Sequence, residues 1–384
     1  MLGFVLLTAI LAPGVAASDS IQPELAAKLS PQQRQLYDDY RRVRDQHEAK
    51  LRAYWTRVEA KRDARRAKHM LAHPLSAEDY VAENPPRYAG PELPAEIAKL
   101  IIEVAPPAAA RPLPDVNDFL AQAKAQYGFV PTPTTELDFK RRYAREALAV
   151  GLSKDQVVRI YALETGGQGT YDMQSGINPV SKQGRPISSA LGYAQLLGGN
   201  SVSELVKHGA KFAERLSALS VQPATPPARA QALKNKAAIV RRMLRAARSV
   251  PNEWHAHVKF GGTPHGLGIH ALNLDADVGP WLQVLKLKGL KEAATAAGRT
   301  HLTGAEIELM NLAGPRTGLE MMAPLGRSMP TANFFSEGGY YRNPVVRDKT
   351  AAELLGALEQ RMESNIKKPG AIEFAQAFDE AATR

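Results

Sequence analysis

Strict alternation of apolar and polar residues, the mark of a half-buried strand, is scarce anywhere in this chain of 384 residues. Apolar positions recur instead at intervals of three and four, which restricts the fold class to mainly α. The longest such stretch runs from Pro31 to Met70 and is free of Gly and Pro after its first residue. Leu36, Tyr40, Val43, His47, Leu51, Tyr54 (or Trp55) and Val58 fall on one narrow stripe. A stripe of that width suits a protein partner or packing on a larger domain. The stretch holds 12 Arg and Lys against 6 Asp and Glu. Nucleic acid could face such a surface, but a solvated helix face is the commoner reading of a charge run, and no nucleic-acid partner is expected.

The second informative stretch, Leu152 to Ser201, carries the chemistry. Ser153 followed by Gln156 is a capping-box pattern, so a helix is predicted from Lys154. Val157, Val158, Tyr161 and Leu163 form its apolar face, and Gly166-Gly167 supplies the left-handed residue that ends it. Glu164 then falls in the last turn, beside the negative end of the helix dipole. The dipole and partial burial both favour the protonated carboxyl, so its pKa is expected to rise. A general acid working near neutrality needs that bias. A solvated glutamate near a helix end would carry the same letters.

Beyond a polar loop the chain reads PISSALGYAQLLGGNS. Ser188-Ser189 are expected to cap a second helix, with Gly192, Tyr193 and Gln195 at its start. Gly192 would allow close approach of a ligand or another backbone, and Gln195 offers both donors and acceptors to an amide-bearing substrate. With these two blocks the chain resembles the catalytic core of the soluble lytic transglycosylases, relatives of goose-type lysozyme. In that family a helix ends in Glu-Ser, and a Gly-Leu-Met-Gln block begins the next. Here stand Glu164-Thr165 and Gly192-Tyr193-Ala194-Gln195.

The resemblance covers Val150 to Ser201 well and the rest of the C-terminal half loosely. Two departures would remodel a cleft without removing the acid: a longer intervening loop, and Ala194 in place of Met. The family also carries an Asn-Ala-Gly-Pro element, which Asn311, Ala313, Gly314 and Pro315 resemble with Leu312 inserted. Gly-Pro after a helix is also a plain terminator. A family Tyr stands four residues after a Glu, the offset of Tyr341 from Glu337; a surface turn would give the same letters.

The resemblance implies a lysozyme-like domain with Glu164 as its catalytic acid and base. It implies Gly192, Tyr193, Gln195, Asn311, Gly314 and Tyr341 as substrate-binding residues, with peptidoglycan glycan strands as the substrate. Cleavage of the MurNAc–GlcNAc β-1,4 bond would leave 1,6-anhydro-MurNAc ends and require no cofactor. Glycoside cleavage ordinarily uses two carboxylates, and no second one is compelling here; a 2-acetamido group can supply the nucleophile itself. Two alternatives stay open: a lysozyme-type hydrolase, and a non-catalytic wall-binding scaffold.

Further observations bound these readings. Cysteine is absent, which excludes disulfides, thiolate zinc sites and a Cys nucleophile. A chain this long can bury enough core to fold without such staples. Residues Met1 to Ala17 form an apolar run ending Val15-Ala16-Ala17, as signal peptidase prefers, although no Lys or Arg precedes Asp19. An exported, periplasmic or wall-associated protein is expected, with a buried N-terminal helix as the alternative. The net charge of +10 suits an anionic polymer without choosing among them.

His255, His257, His265 and His270 cluster beside three glycines, but their spacing matches no helical metal pair. No metal is expected there, and a loop at the rim of a cleft is. Asp275 and Asp277 read as a helix cap or a second carboxylate, the cap favoured. Trp281 could stack on a sugar or fill the core. The proline-rich segments place boundaries at 1–17 for the signal-like run, 18–83 for a charged helical extension, 84–114 for a linker and 115–384 for the catalytic domain.

Overall fold

Capping residues set most of the helix boundaries. The computed structural model describes residues 23–106 and 112–383; the apolar N-terminal run lies outside them. Asp115 accepts from the backbone N–H of Asn117 and Asp118 at 2.8 and 3.0 Å, and Gly128 ends that helix with φ +64°. In chain order the helices are α1 Pro23–Lys28, α2 Pro31–Met70, α3 Ala95–Val104, α4 Val116–Tyr127, α5 Glu136–Ala149 and α6 Lys154–Thr165. Next come α7 Gly198–Ser220, α8 Pro227–Ala247, α9 Trp254–Gly261, α10 Pro264–His270, α11 Gly279–Ala296 and α12 Gly304–Ala313. The last are α13 Pro315–Met322, α14 Pro324–Arg327, α15 Glu337–Arg342, α16 Ala351–Asn365 and α17 Pro369–Ala382. Among the described residues there is no strand, only isolated bridges, so the fold is mainly α. No helix there is long and apolar enough to cross a membrane.

The chain divides into two units, residues 1–57 with 85–110, and 58–84 with 111–384. The α2 helix contributes to both. In the first unit Leu25, Leu29, Tyr37 and Ile97 make a small core from α1, α2 and α3. The polar face of α2 is laced with local pairs, such as Arg42–Asp39 at 3.0 Å and Arg44–Glu48 at 2.9 Å. Pairs of this exposure contribute a few tenths of a kcal/mol each. That is the chemistry of a solvated face.

In the second unit one large apolar core joins α4, α7, α8, α10 and α11 around Phe119, Leu205, Leu216, Val240 and Leu282. Trp281 belongs to it, stacked on Phe212 with the Arg215 guanidinium 4.1 Å from its ring centre. The core role of that tryptophan therefore holds. A second, aromatic cluster ties α5, α6 and α17 through Tyr143, Tyr161, Tyr193 and Phe374. Behind the large core, Lys236 of α8 lies 2.6 Å from both Asp275 and Asp277. Asp275 also accepts the N–H of Asp277 and Val278 at 3.0 Å, which orders the turn before α11; the N-cap of that helix is Val278, not the aspartate expected there. Both aspartates are sealed from solvent, so neither is a second catalytic carboxylate.

The histidine quartet does not form a rim loop. His255 and His257 ride on α9, and His265 and His270 on α10, because Glu253 and Thr263 begin short helices there. No group of three or more metal-ligating side chains occurs among the described residues. His270 is fully buried, with Nδ1 2.8 Å from Ser201 Oγ and Nε2 2.7 Å from the Ser189 carbonyl. Burial holds its pKa down to about 4. Because the folded state resists protonation, stability should fall as pH drops from about 6.5 to 4, by about 3 kcal/mol. His270→Gln should flatten that slope by one proton in urea unfolding across the window; an unchanged slope would refute the assignment.

Candidate active site

The α6 helix forms as its sequence requires. Ser153 Oγ accepts from Gln156 N at 3.2 Å, Gln156 Oε1 accepts from Ser153 N at 3.1 Å, and Gly166 closes the helix at φ +67°. Glu164 accordingly stands in the last turn. Asn365 of α16 donates to the Ala162 carbonyl at 3.0 Å, satisfying one acceptor that the helix end leaves open. Arg361, one turn earlier on α16, lends positive potential to Glu164.

Glu164 is half-buried, crowded by protein yet not sealed from water. Its carboxyl shares a hydrogen bond with Glu308 of α12. Burial pushes the Glu164 pKa up to about 7, opposed by the Glu308 hydrogen bond and by Arg361. Glu308 is itself buried, and burial together with the neighbouring Glu164 charge pushes its pKa well above the usual carboxylate range. Two neighbouring buried carboxyls resist ionising together, so the pair retains a proton more readily than either acid would alone. Asn311 Nδ2 lies 3.4 and 3.5 Å from the two Glu308 oxygens, and Lys286 of α11 acts on Glu308 electrostatically.

The segment after the polar loop differs from expectation. Ser188 and Ser189 do not open a helix containing Gly192. Gly192–Gln195 form a tight turn closed by the Leu191–Leu196 bridge, and α7 begins at Gly198. The cause is backbone conformation: Gly192 has φ +78° and Gln195 φ +40°, both outside helical space. Ser189 nonetheless serves α7, accepting from Gly198 N at 3.1 Å.

Gln195 spans the turn, donating Nε2 to the carbonyls of Gly192 at 2.7 Å and Met173 at 3.1 Å. Gln283 of α11 supports it from below, accepting from Ala194 N at 3.1 Å. A Cβ on residue 192 would sit 2.6 Å from Gln283 Nε2, so what approaches this glycine is a side-chain amide rather than the ligand or backbone expected. Gly192→Ala should cost about 2 kcal/mol, from left-handed strain plus displacement of Gln283, in denaturant unfolding. A change below ~0.5 kcal/mol would mean that the turn adapts freely.

The remaining candidates separate. Tyr193 is almost fully buried among aromatic rings, and its hydroxyl donates to Glu136. Gly314, at φ +88°, is the hinge between α12 and α13. Tyr341 lies on α15, its ring edge-on to Tyr340 and its carbonyl accepting from Arg347. Asn311 alone of the later candidates is tied by a described contact to the Glu164–Glu308 pair. Gln283 and Lys286 stand three residues apart on α11, where side chains share a face. That face therefore links the Gly192 turn to the carboxyl pair. A cavity of about 370 Å³ lined by Ser153, Gln156, Lys291 and His301 lies at the opposite end of α6, ~15 Å along the helix from Glu164, and takes no part.

Glu308, Lys286 and Arg361 were not picked out in the sequence. Glu308 did leave a signal, standing three residues before Asn311 on one helix face. Neither a family model nor a curated protein nor a solved structure matches this chain.

Proposed function

We propose that this protein is a peptidoglycan lytic transglycosylase, its second unit a lysozyme-like catalytic domain and Glu164 its acid and base. The observation that carries the reading is a half-buried carboxyl whose pKa is raised to about 7 at the end of a capped helix. Such a group holds a proton at neutral pH and can release and recover it, as general acid–base catalysis requires.

The Glu164–Glu308 contact also bears on mechanism. Retaining glycosidases hold their carboxyls about 5–5.5 Å apart and inverting ones about 6.5–9.5 Å, with the scissile bond between. Glu308 is buried beside Glu164 and 4% exposed, so this reading does not use it as the opposing nucleophile or base. The substrate's own 2-acetamido oxygen fills that role. It attacks the anomeric carbon while Glu164 protonates the departing oxygen. Glu164 then accepts the proton of the sugar 6-hydroxyl, whose oxygen displaces the acetamido oxygen from the anomeric carbon and closes the 1,6-anhydro ring without consuming water. Asn311 and the Gln195 turn would line the groove.

Export to the periplasm or wall belongs to this reading, supported by the signal-like 1–17 run and the net charge of +10. Digestion of purified sacculi followed by mass analysis tests it. Anhydro-muropeptides are the expected product; reducing ends would indicate a hydrolase, and binding without products a scaffold.

A further inference from the structure

Trp254 differs from the other two tryptophans: it is 53% exposed, whereas Trp55 and Trp281 are buried. It opens α9 on the same face as Val258, one turn later and 47% exposed. Val258 lies over the start of α7, where a Cβ on Gly199 would meet its Cγ2 at 2.9 Å. Leu197, immediately before that helix, is a third exposed apolar side chain.

The charge around this patch is one-sided. Between Glu214 and Asp275 the chain carries nine Lys and Arg and one acid, Glu253, which lies 3.4 Å from His255. Arg215, Arg229, Lys236 and Arg242 turn inward, to Glu146, to Asp275 and Asp277, and to the Tyr127 carbonyl. Lys234, Arg241, Arg245, Arg248 and Lys259 are exposed and form no ion pair with a described residue. The first four follow one face of α8 at intervals of seven, four and three. Arg248 donates to the Val206 carbonyl at 3.4 Å, so the basic stripe and α9 both rest on α7. Cations beside an exposed tryptophan and two aliphatic side chains match a surface that is anionic outside and apolar beneath. Nucleic acid and anionic glycans supply the charge, but no apolar layer for Val258 and Leu197.

We propose that α8 and α9 form a docking face for an anionic lipid bilayer. Arg241, Arg245, Arg248 and Lys259 meet the headgroup phosphates, while Trp254 and Val258 enter the boundary of the acyl layer. The inference does not depend on wall cleavage.

Tryptophan emission of the full chain reads the contact, because Trp55 and Trp281 are shielded and Trp254 is not. Vesicles of equal parts phosphatidylglycerol and phosphatidylcholine should shift the emission to the blue and carry the protein down on sedimentation. Phosphatidylcholine alone should do neither. Trp254→Ala should abolish the shift and lower partition by at least ~10-fold. The combination Arg241→Gln, Arg245→Gln, Arg248→Gln should lower partition by about 10²-fold at low salt, roughly fivefold for each cation near the headgroups. All four side chains are exposed, so both variants keep the fold. Failure of wild type to bind the anionic vesicles overturns the proposal, as does binding with unchanged emission or equal partition of all three proteins. A blue shift produced by duplex DNA or purified sacculi, with none on the vesicles, overturns it in favour of that polymer.

Discussion

Glu164→Gln should lower the turnover of purified sacculi by at least ~10²-fold, the low end of the effect of losing a general acid–base. Glutamine matches the size of glutamate and can still hydrogen-bond to Glu308, so the fold survives and only the transferable proton is lost. Stability should move in the opposite direction. A carboxyl whose folded pKa is raised to about 7 from about 4.5 binds more protons folded than unfolded between those values. Its presence therefore costs stability progressively as pH rises from 4.5 to 7, and the cost is complete above 7. The glutamine variant lacks that penalty and should be more stable than wild type at pH 8, by about 2–3 kcal/mol, and about equal to it near pH 4. Lost turnover with gained alkaline stability marks a strained functional acid. Full turnover in the variant would end the assignment, and equal stability at pH 8 would mean that the carboxyl is not desolvated.

How much of this was legible beforehand depends on the range of the interaction. The capping box at Ser153–Gln156, the stop at Gly166 and the position of Glu164 are local signals, and the structure reproduces all three. The mainly α class was legible for the same reason. Gly192 misled because Ser-Ser before an apolar run resembles a helix start. The decision lay in φ +78° at one glycine and in Gln283, some ninety residues away, waiting beneath it.

The partner of Glu164 was out of reach for a related reason. Asn311 was noticed through its motif, but a glutamate three residues earlier gains meaning only once α12 packs on α6. The raised pKa was expected from dipole and burial together; burial is the dominant cause in the structure. His255 to His270 looked like a loop because glycines interrupt two helices too short to show a period. The charge run of α2 was legible as a solvated face where its pairs are local, but not at Arg65, which is buried and pairs with Glu320 at 2.7 Å, 255 positions away.

Lys236→Met should destabilise the second unit by about 3–5 kcal/mol, the cost of removing one partner from a buried ion cluster. Its ammonium is almost fully buried and bonds both oxygens of Asp275, one of Asp277, and Thr132 Oγ1 at 2.7 Å. Without it Asp277 keeps Arg142 and Arg229, while Asp275 keeps only backbone donors at Thr132, Asp277 and Val278. Methionine fills the volume of the lysine stem, so the loss is electrostatic rather than a cavity. Combining Lys236→Met with Asp275→Asn removes the stranded charge together with its partner and should recover about 1–3 kcal/mol, the usual coupling of residues in one network.

The effect should also reach the site. Asp275 and Asp277 fix the start of α11, and α11 carries Gln283 under the Gly192 turn and Lys286 beside Glu308. Wall turnover in Lys236→Met should therefore fall even where the variant is fully folded, and the double variant should regain part of both properties. Urea unfolding and sacculus digestion on the same three proteins measure the two effects. A single variant within ~1 kcal/mol of wild type would show that the cluster is not needed to hold α11 in place.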